Sequence, residues 1–134
     1  MDVLITREAR LEIEALGIVR PKTPGWGFLI GHKRGSRFFV EKILAAGNAG
    51  PGTAARRSRE IERLWPGKVI GLFAIRPGAE LKRALMGPFF YGKLFVELRF
   101  AGNRPGARPF IVEFERSFRL APIPLEPGAG GKDR

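Results

Sequence analysis

Lys68 to Ile75 reads K-V-I-G-L-F-A-I, a near-continuous apolar run without the polar alternation of a half-exposed strand. Such a segment belongs in the middle of a sheet, with cover on both faces. It ends in Ala74-Ile75-Arg76-Pro77, and the stretch Ala79 to Met86 that follows reads as a helix closed by Gly87-Pro88. A central strand leading into a helix is the frame around which the other elements have to be placed.

Val3 to Ile5 is a short apolar segment with the character of an edge strand. Thr6 offers an N-cap hydroxyl, and Glu8 puts negative charge in the first helical turn. Ala9, Ile13 and Leu16 recur at helical spacing, with Leu11 and Ala15 widening the apolar face, so a helix is predicted from about Thr6 to Leu16, ended by Gly17. Trp26 to Gly31 and Arg37 to Ala46 read as two strands around a polar turn at Lys33-Arg34-Gly35-Ser36. Phe38, Val40 and Leu44 are expected on one face there, and Phe39 with Glu41 on the other. After the loop Gly47 to Gly52, Thr53 to Trp65 suits a short helix with Ile61 and Leu64 inward, stopped by Pro66-Gly67. Leu94, Val96, Leu98 and Phe100 alternate with Phe95, Glu97 and Arg99. Beyond a turn at Gly102 to Gly106, Phe110, Val112, Phe114 and Phe118 form a second alternating set, so two long antiparallel strands are expected. The fold class is α+β, a mixed, largely antiparallel sheet flanked by helices. Residues 1–125 make a single domain, and 126–134, rich in Gly and poor in apolar residues, read as a flexible tail.

The chain has 134 residues, enough for one domain with a sizeable core, and 44% of them are hydrophobic. Its apolar runs fall short of the roughly 20 residues that span a bilayer. The start, Met-Asp-Val-Leu-Ile-Thr, carries an acid and no extended apolar region, so it does not read as a secretory signal, and a cytoplasmic location is expected. Cysteine is absent, which excludes disulfides, thiolate zinc sites and cysteine nucleophiles. The formal net charge is +11, from 24 Lys and Arg against 13 Asp and Glu. A surface so charged attracts anionic partners over a screening length of roughly 10 Å. The densest basic groups are His32-Lys33-Arg34 with Arg37, and Arg56-Arg57 with Arg59 and Arg63. Nucleic acid is therefore a candidate partner. Phe38-Phe39 beside Arg37, and Phe89-Phe90-Tyr91 near Arg83 and Lys93, place aromatic rings among the cations, where they would serve base stacking or anchor a protein interface.

Motifs for nucleotide binding do not survive inspection. Gly25-x-Gly27-x-x-x-Gly31 sits within a strand pattern rather than between a strand and a helix. Gly31-His32-Lys33-Arg34-Gly35-Ser36 lacks the spacing of a phosphate-binding loop. His32, the single histidine, has no second His or Cys to share a metal with.

An ordered succession of segments does resemble a known family. Pro24-Gly25-Trp26-Gly27-Phe28-Leu29-Ile30-Gly31-His32 is similar to the Glu-Thr-Gly-Gly-x-Leu-x-Gly-His segment of JAMM/MPN-type zinc isopeptidases. Arg37 to Ala46, Asn48 to Gly52, Arg56 to Trp65 and Lys68 to Pro77 follow in the family's order, and Ile123-Pro124-Leu125-Glu126 resembles its ending. The resemblance, to the prokaryotic and metal-less kind, implies the JAMM/MPN (cytidine-deaminase-like) architecture.

It also implies that the family's chemistry is missing. Such a hydrolase needs three protein ligands on zinc, a general base and an oxyanion donor. Counted without a gap, the two His positions hold Ala74 and Arg76, the Ser position Ala84, the Asp position Gly87, and the general-base Glu position Pro24. Alanine, glycine and proline offer a metal no side-chain donor, and arginine stays protonated and repels it. No metal and no other cofactor are expected, a rebuilt carboxylate site from Glu60, Glu62 and Glu80 being the remote exception. The leading expectation is a non-enzymatic protein-binding or scaffolding module, paired with a protein partner or a second copy as inactive relatives are. Arg76 would hold an anion or a partner's carboxylate in the remnant groove. The alternatives are a basic nucleic-acid-associated protein and a hydrolase with an unrecognised site.

Overall fold

The computed structural model describes residues 1–19, 25–47, 49–101 and 104–126. Seven strands form one sheet, in the order β1 (Asp2–Ile5), β3 (Arg37–Ala45), β2 (Gly25–Arg34), β4 (Val69–Ile75), β5 (Leu94–Ala101), β6 (Arg104–Phe114) and β7 (Phe118–Pro122). β1 pairs with β3 and β4 with β5 in parallel, and the other neighbours are antiparallel. Helices α1 (Arg7–Val19), α2 (Ala54–Leu64) and α3 (Ala79–Leu85) complete a mixed α+β fold. β4 holds the middle of the sheet, and every one of its residues is buried. No helix among the described residues is long and apolar enough to cross a membrane.

The two faces of β4 separate the core into two clusters. On one side, Ile70, Phe73 and Ile75 join Val3, Val40, Leu94 and Val96 beneath Ala9 and Ile13 of α1. On the other, Val69, Leu72 and Ala74 join Phe28, Phe95 and Val112 beneath Ala54 of α2 and Leu81 and Leu85 of α3. Each helix is amphipathic because it lies on one face of a sheet that needs cover on both. Thr6 caps α1 as its position suggests, its Oγ1 accepting from the Ala9 amide at 3.3 Å.

The sheet curls until its two margins share a segment of chain. The Val3 amide donates to the Pro124 carbonyl at 3.0 Å, and the Glu126 amide to the Val3 carbonyl at 2.8 Å. Residues following β7 thereby run along the outer edge of β1, where Val3 and Leu125 form a parallel bridge. Arg37 fastens this junction, donating to both Asp2 oxygens at 2.9 and 2.8 Å and to Glu126 at 3.0 Å. Glu126, placed with the tail by its composition, is thus anchored; the rest of that segment, 127–134, lies outside the described residues.

Two β-bulges on either side of Ile30 re-aim the neighbouring strands. Ile30 pairs with Lys42 and Gly31 with Val40, which leaves Glu41 unpaired in β3; Leu29 pairs with Gly71 and Ile30 with Val69, which leaves Ile70 unpaired in β4. The extra residue reverses the alternation beyond it. Ile43, not Leu44, therefore packs on the side of Val40, and Leu44 is exposed. Close approach of the strands here excludes side chains: a Cβ on Gly31 would overlap the Phe39 carbonyl oxygen, and one on Gly71 that of Leu94.

Four other expectations are corrected. Leu11 and Ala15 of α1 face outward, because Ala9, Ile13 and Leu16 already fill the stripe that meets the sheet. Leu64 is 76% exposed; the inward face of α2 is set by Ala54, Ser58 and Ile61, and Leu64 falls in the last turn before Trp65. The final long strand is two strands, β6 and β7, which turn at Glu115 to Ser117 so that Phe114 pairs with Phe118. Residues four apart keep the same parity whether the chain runs straight or folds back, so alternation did not reveal that turn. The preceding hairpin is also tighter than Gly102 to Gly106, since Ala101 pairs with Arg104.

Three predictions follow from this packing. Gly71→Ala should destabilise the fold by about 3 kcal/mol in denaturant unfolding, because backbone atoms oppose the new methyl. Ser58 is fully buried and its hydroxyl finds no partner among the described residues. Ser58→Ala should leave stability unchanged or raise it by about 1 kcal/mol. The Arg37 hydrogen bond, opposed in part by desolvation, holds the Asp2 carboxyl below its usual 3.8. A depressed carboxyl adds stability above its unfolded pKa and loses it as pH falls through the folded one. Asp2→Asn should therefore lower the thermal midpoint at pH 7, and the gap to wild type should close on acidification below the usual carboxylate range.

Candidate functional site

The end of β4 brings together part of what the resemblance singles out. Ala74 pairs with Trp26 on β2 and Glu97 on β5, and its methyl is sealed in the core. Trp26 is fixed by an edge contact with Phe28, centroids 5.3 Å apart, and by donation from its indole nitrogen to the Ala49 carbonyl at 2.9 Å. Ala74, Arg76, Trp26 and Leu81 of α3 line one hollow of about 260 Å³. Ala84 packs half-buried on the α3 side of the core, and Gly87 follows α3 in extended backbone; neither lines that hollow. Pro24 lies outside the described residues.

Arg76 is exposed and has a φ of 52°, the positive value that no other described non-glycine residue adopts. The left-handed region costs an L-residue about 1–2 kcal/mol, and Pro77 further restricts the residue before it. The chain accepts this strain where it leaves the sheet. Strain of that kind collects at binding and catalytic sites. Arg76 also lines a second, more polar hollow of about 360 Å³ with Lys82, Glu97 and Arg99. Arg99 already holds Glu97, at 3.0 Å. Three cations and one engaged carboxylate give this end of the sheet the chemistry to hold an anion.

The opposite end of the sheet joins two candidates that are distant in sequence. Arg56, Arg59 and Arg63 project from the outer face of α2, while Arg57 is half-buried. The Arg59 guanidinium lies over the Phe89 ring, 4.9 Å from its centroid, and the Lys93 ammonium approaches the same ring at 5.7 Å. Phe90 is wholly buried and belongs to the core, which removes it from any surface platform. Tyr91 is 58% exposed. Around this point His32, Lys33, Phe38, Glu62, Phe89 and Lys93 line a groove of about 450 Å³.

Several of these groups have no local signature in the sequence. His32 stacks on Phe39, centroids 4.9 Å apart and planes 9° from parallel, and its Nδ1 sits 3.1 Å from Glu41. That contact depends on the bulge that displaces Glu41. Lys33 lies over Phe38 at 5.3 Å and Arg34 over Phe39 at 5.5 Å. Cations placed over aromatic faces are held by the ring quadrupole and gain a fixed position. Glu60, Glu62 and Glu80 do not converge: no group of three metal-ligating side chains forms among the described residues, and Glu62 accepts the Gly67 amide at 2.6 Å.

No protein-family model matches the chain, and no curated protein does either. Among solved structures, the chain is similar to the solution structure of protein DSY2949 from Desulfitobacterium hafniense, at 18% sequence identity and a TM-score of 0.62. That similarity covers 100% of this chain and 99% of the other, so the two share a fold over their whole length.

Proposed function

We propose that this chain is a catalytically inactive JAMM/MPN-like domain that serves as a protein-binding module, gripping a carboxylate of a partner protein or of a second copy through Arg76. The observation that carries the reading is Arg76 itself: a strained arginine at the mouth of the hollow that Ala74 and Trp26 line. Lys82 and Arg99 beside it raise the local positive potential and favour an acidic segment over a neutral one. The residue types in the resembled zinc positions point the same way, since Ala74 offers no donor atom and is buried as well. A second reading, association with nucleic acid, draws support from a different surface, where Arg59 and Lys93 flank Phe89.

Three experiments test the leading reading. Partners captured by the wild-type protein should be lost from Arg76→Glu, and light scattering after size exclusion should show whether the captured partner includes a second copy. Arg76→Gly relieves the backbone strain, so it should fold at least as stably as wild type while binding less, whereas unchanged capture by both variants would remove Arg76 from the site. Incubation with zinc and an isopeptide-linked substrate should give no cleavage; turnover would overturn the inactive assignment.

A further inference from the structure

We propose that the groove at the Phe89 end of the sheet binds single-stranded nucleic acid, with Trp65 and Tyr91 as stacking platforms. This deepens the second reading above and is independent of the Arg76 end. Three segments build the groove: His32 and Lys33 from β2 with Phe38 from β3, Glu62 and Gly67 around the α2–β4 turn, and Phe89 with Lys93 from the segment entering β5. Trp65 lies on the second of these, between Glu62 and Gly67, and Tyr91 on the third, between Phe89 and Lys93. Both rings are exposed, so each bordering connection presents one open aromatic face to solvent.

The charge of the groove suits a phosphate backbone. Lys33 and Lys93 line it, and Arg59 adjoins it on the Phe89 ring. The one acid in its wall, Glu62, has an oxygen committed to the Gly67 amide. The cations are also positioned rather than free to swing. Lys33, Arg34, Arg59 and Lys93 each lie over a ring, and Lys93 donates to the Val69 carbonyl at 3.3 Å. A guanidinium held on an aromatic face can in turn stack a base on its own plane. Fixed cations beside exposed rings are the arrangement that tracks a backbone while bases stack in any order.

The rings decide between partners of like charge. An acidic peptide uses the cations but gains little from Trp65 and Tyr91, and a duplex keeps its bases stacked inside. Unpaired bases alone use both features. Single-stranded DNA and RNA share this chemistry, and the groove does not by itself choose between their sugars.

The test is fluorescence anisotropy with labelled DNA and RNA strands of about 16 nucleotides. The duplex of the same sequence and poly-glutamate serve as comparators. Both single strands, or one of them, should bind more tightly than either comparator, with affinity falling steeply between about 50 and about 200 mM salt. Arg59→Ala with Lys93→Ala should weaken binding by about tenfold and flatten the log–log salt slope by about 1.4, as expected for two lost phosphate contacts. Trp65→Ala and Tyr91→Ala should each weaken single-strand binding by about fivefold or more and leave the duplex unaffected. Arg7→Ala with Arg104→Ala, both exposed and outside either hollow, should change binding less than twofold and so excludes bulk charge as the cause. Photocrosslinks from the bound strand should map to Trp65 and Tyr91 in the unmodified protein, a readout that needs no variant to fold. Absence of single-strand binding at low salt, equal binding of duplex or poly-glutamate, an equal loss in the control pair, or crosslinks elsewhere would each overturn the proposal. Because Arg76 is intact throughout, none of these outcomes bears on the carboxylate site.

Discussion

β4 is buried along its whole length, and that burial organises the molecule. A strand with apolar side chains on both faces needs a helix layer on each side and a paired strand at each edge. The chain supplies β2 and β5 as neighbours, α1 above one face, and α2 with α3 above the other. Fully burying each large apolar side chain contributes about 1.5–3 kcal/mol, so the two clusters that meet at β4 dominate the favourable side of folding. The ends of the same strand then define the two surfaces of functional interest. Its C-terminal end delivers Arg76 to a cationic hollow, and its N-terminal end, at Val69, forms part of the basic and aromatic groove.

The two surfaces differ in how their cations are held. At the Arg76 end the strain is in the backbone, and Glu97 partly offsets the charge through Arg99. At the Phe89 end the cations rest on rings, which costs no backbone strain, and they outnumber the single acid, Glu62, among the described residues lining the groove. An arrangement of the first kind suits one localised anion. The second suits a partner carrying repeated charge, because several fixed cations are spread along a groove rather than converging on a point.

Much of the fold was legible in the sequence because it rests on local pattern. The apolar run of β4, the Thr6 cap, the alternation of β5 and the helical spacing of Ala9, Ile13 and Leu16 each reflect interactions within a few residues. What escaped was set by pairing between distant segments. The bulge that displaces Glu41 belongs to the pairing of β2 with β3, segments that a local reading does not bring together, and it moved Leu44 to the surface. Phe90 and Tyr91 look alike in sequence, yet one fills the core and the other faces water. At the candidate sites the residue types were readable, and the convergence of Arg59, Phe89 and Lys93 was not. Trp65 read in the sequence only as the end of a helix, and its exposure follows from the α2–β4 turn on which it lies.

The junction at Arg37 bears on how the chain reaches this state. Val3 is bonded to residues near position 125, a contact that closes almost the whole described chain into one loop. Synthesis proceeds from the N-terminus, so β1 can pair with β3 long before its outer edge finds Pro124 and Glu126. During that interval β1 is an open strand edge, the feature through which partly folded chains pair with one another. Long-range closure of this kind also slows folding, since its entropy is lost before its contacts form. Only the Arg37–Glu126 contact of the ion cluster has to wait for the far end of the chain, and the backbone bonds of Val3 to Pro124 and Glu126 that form with it are what retire the exposed edge.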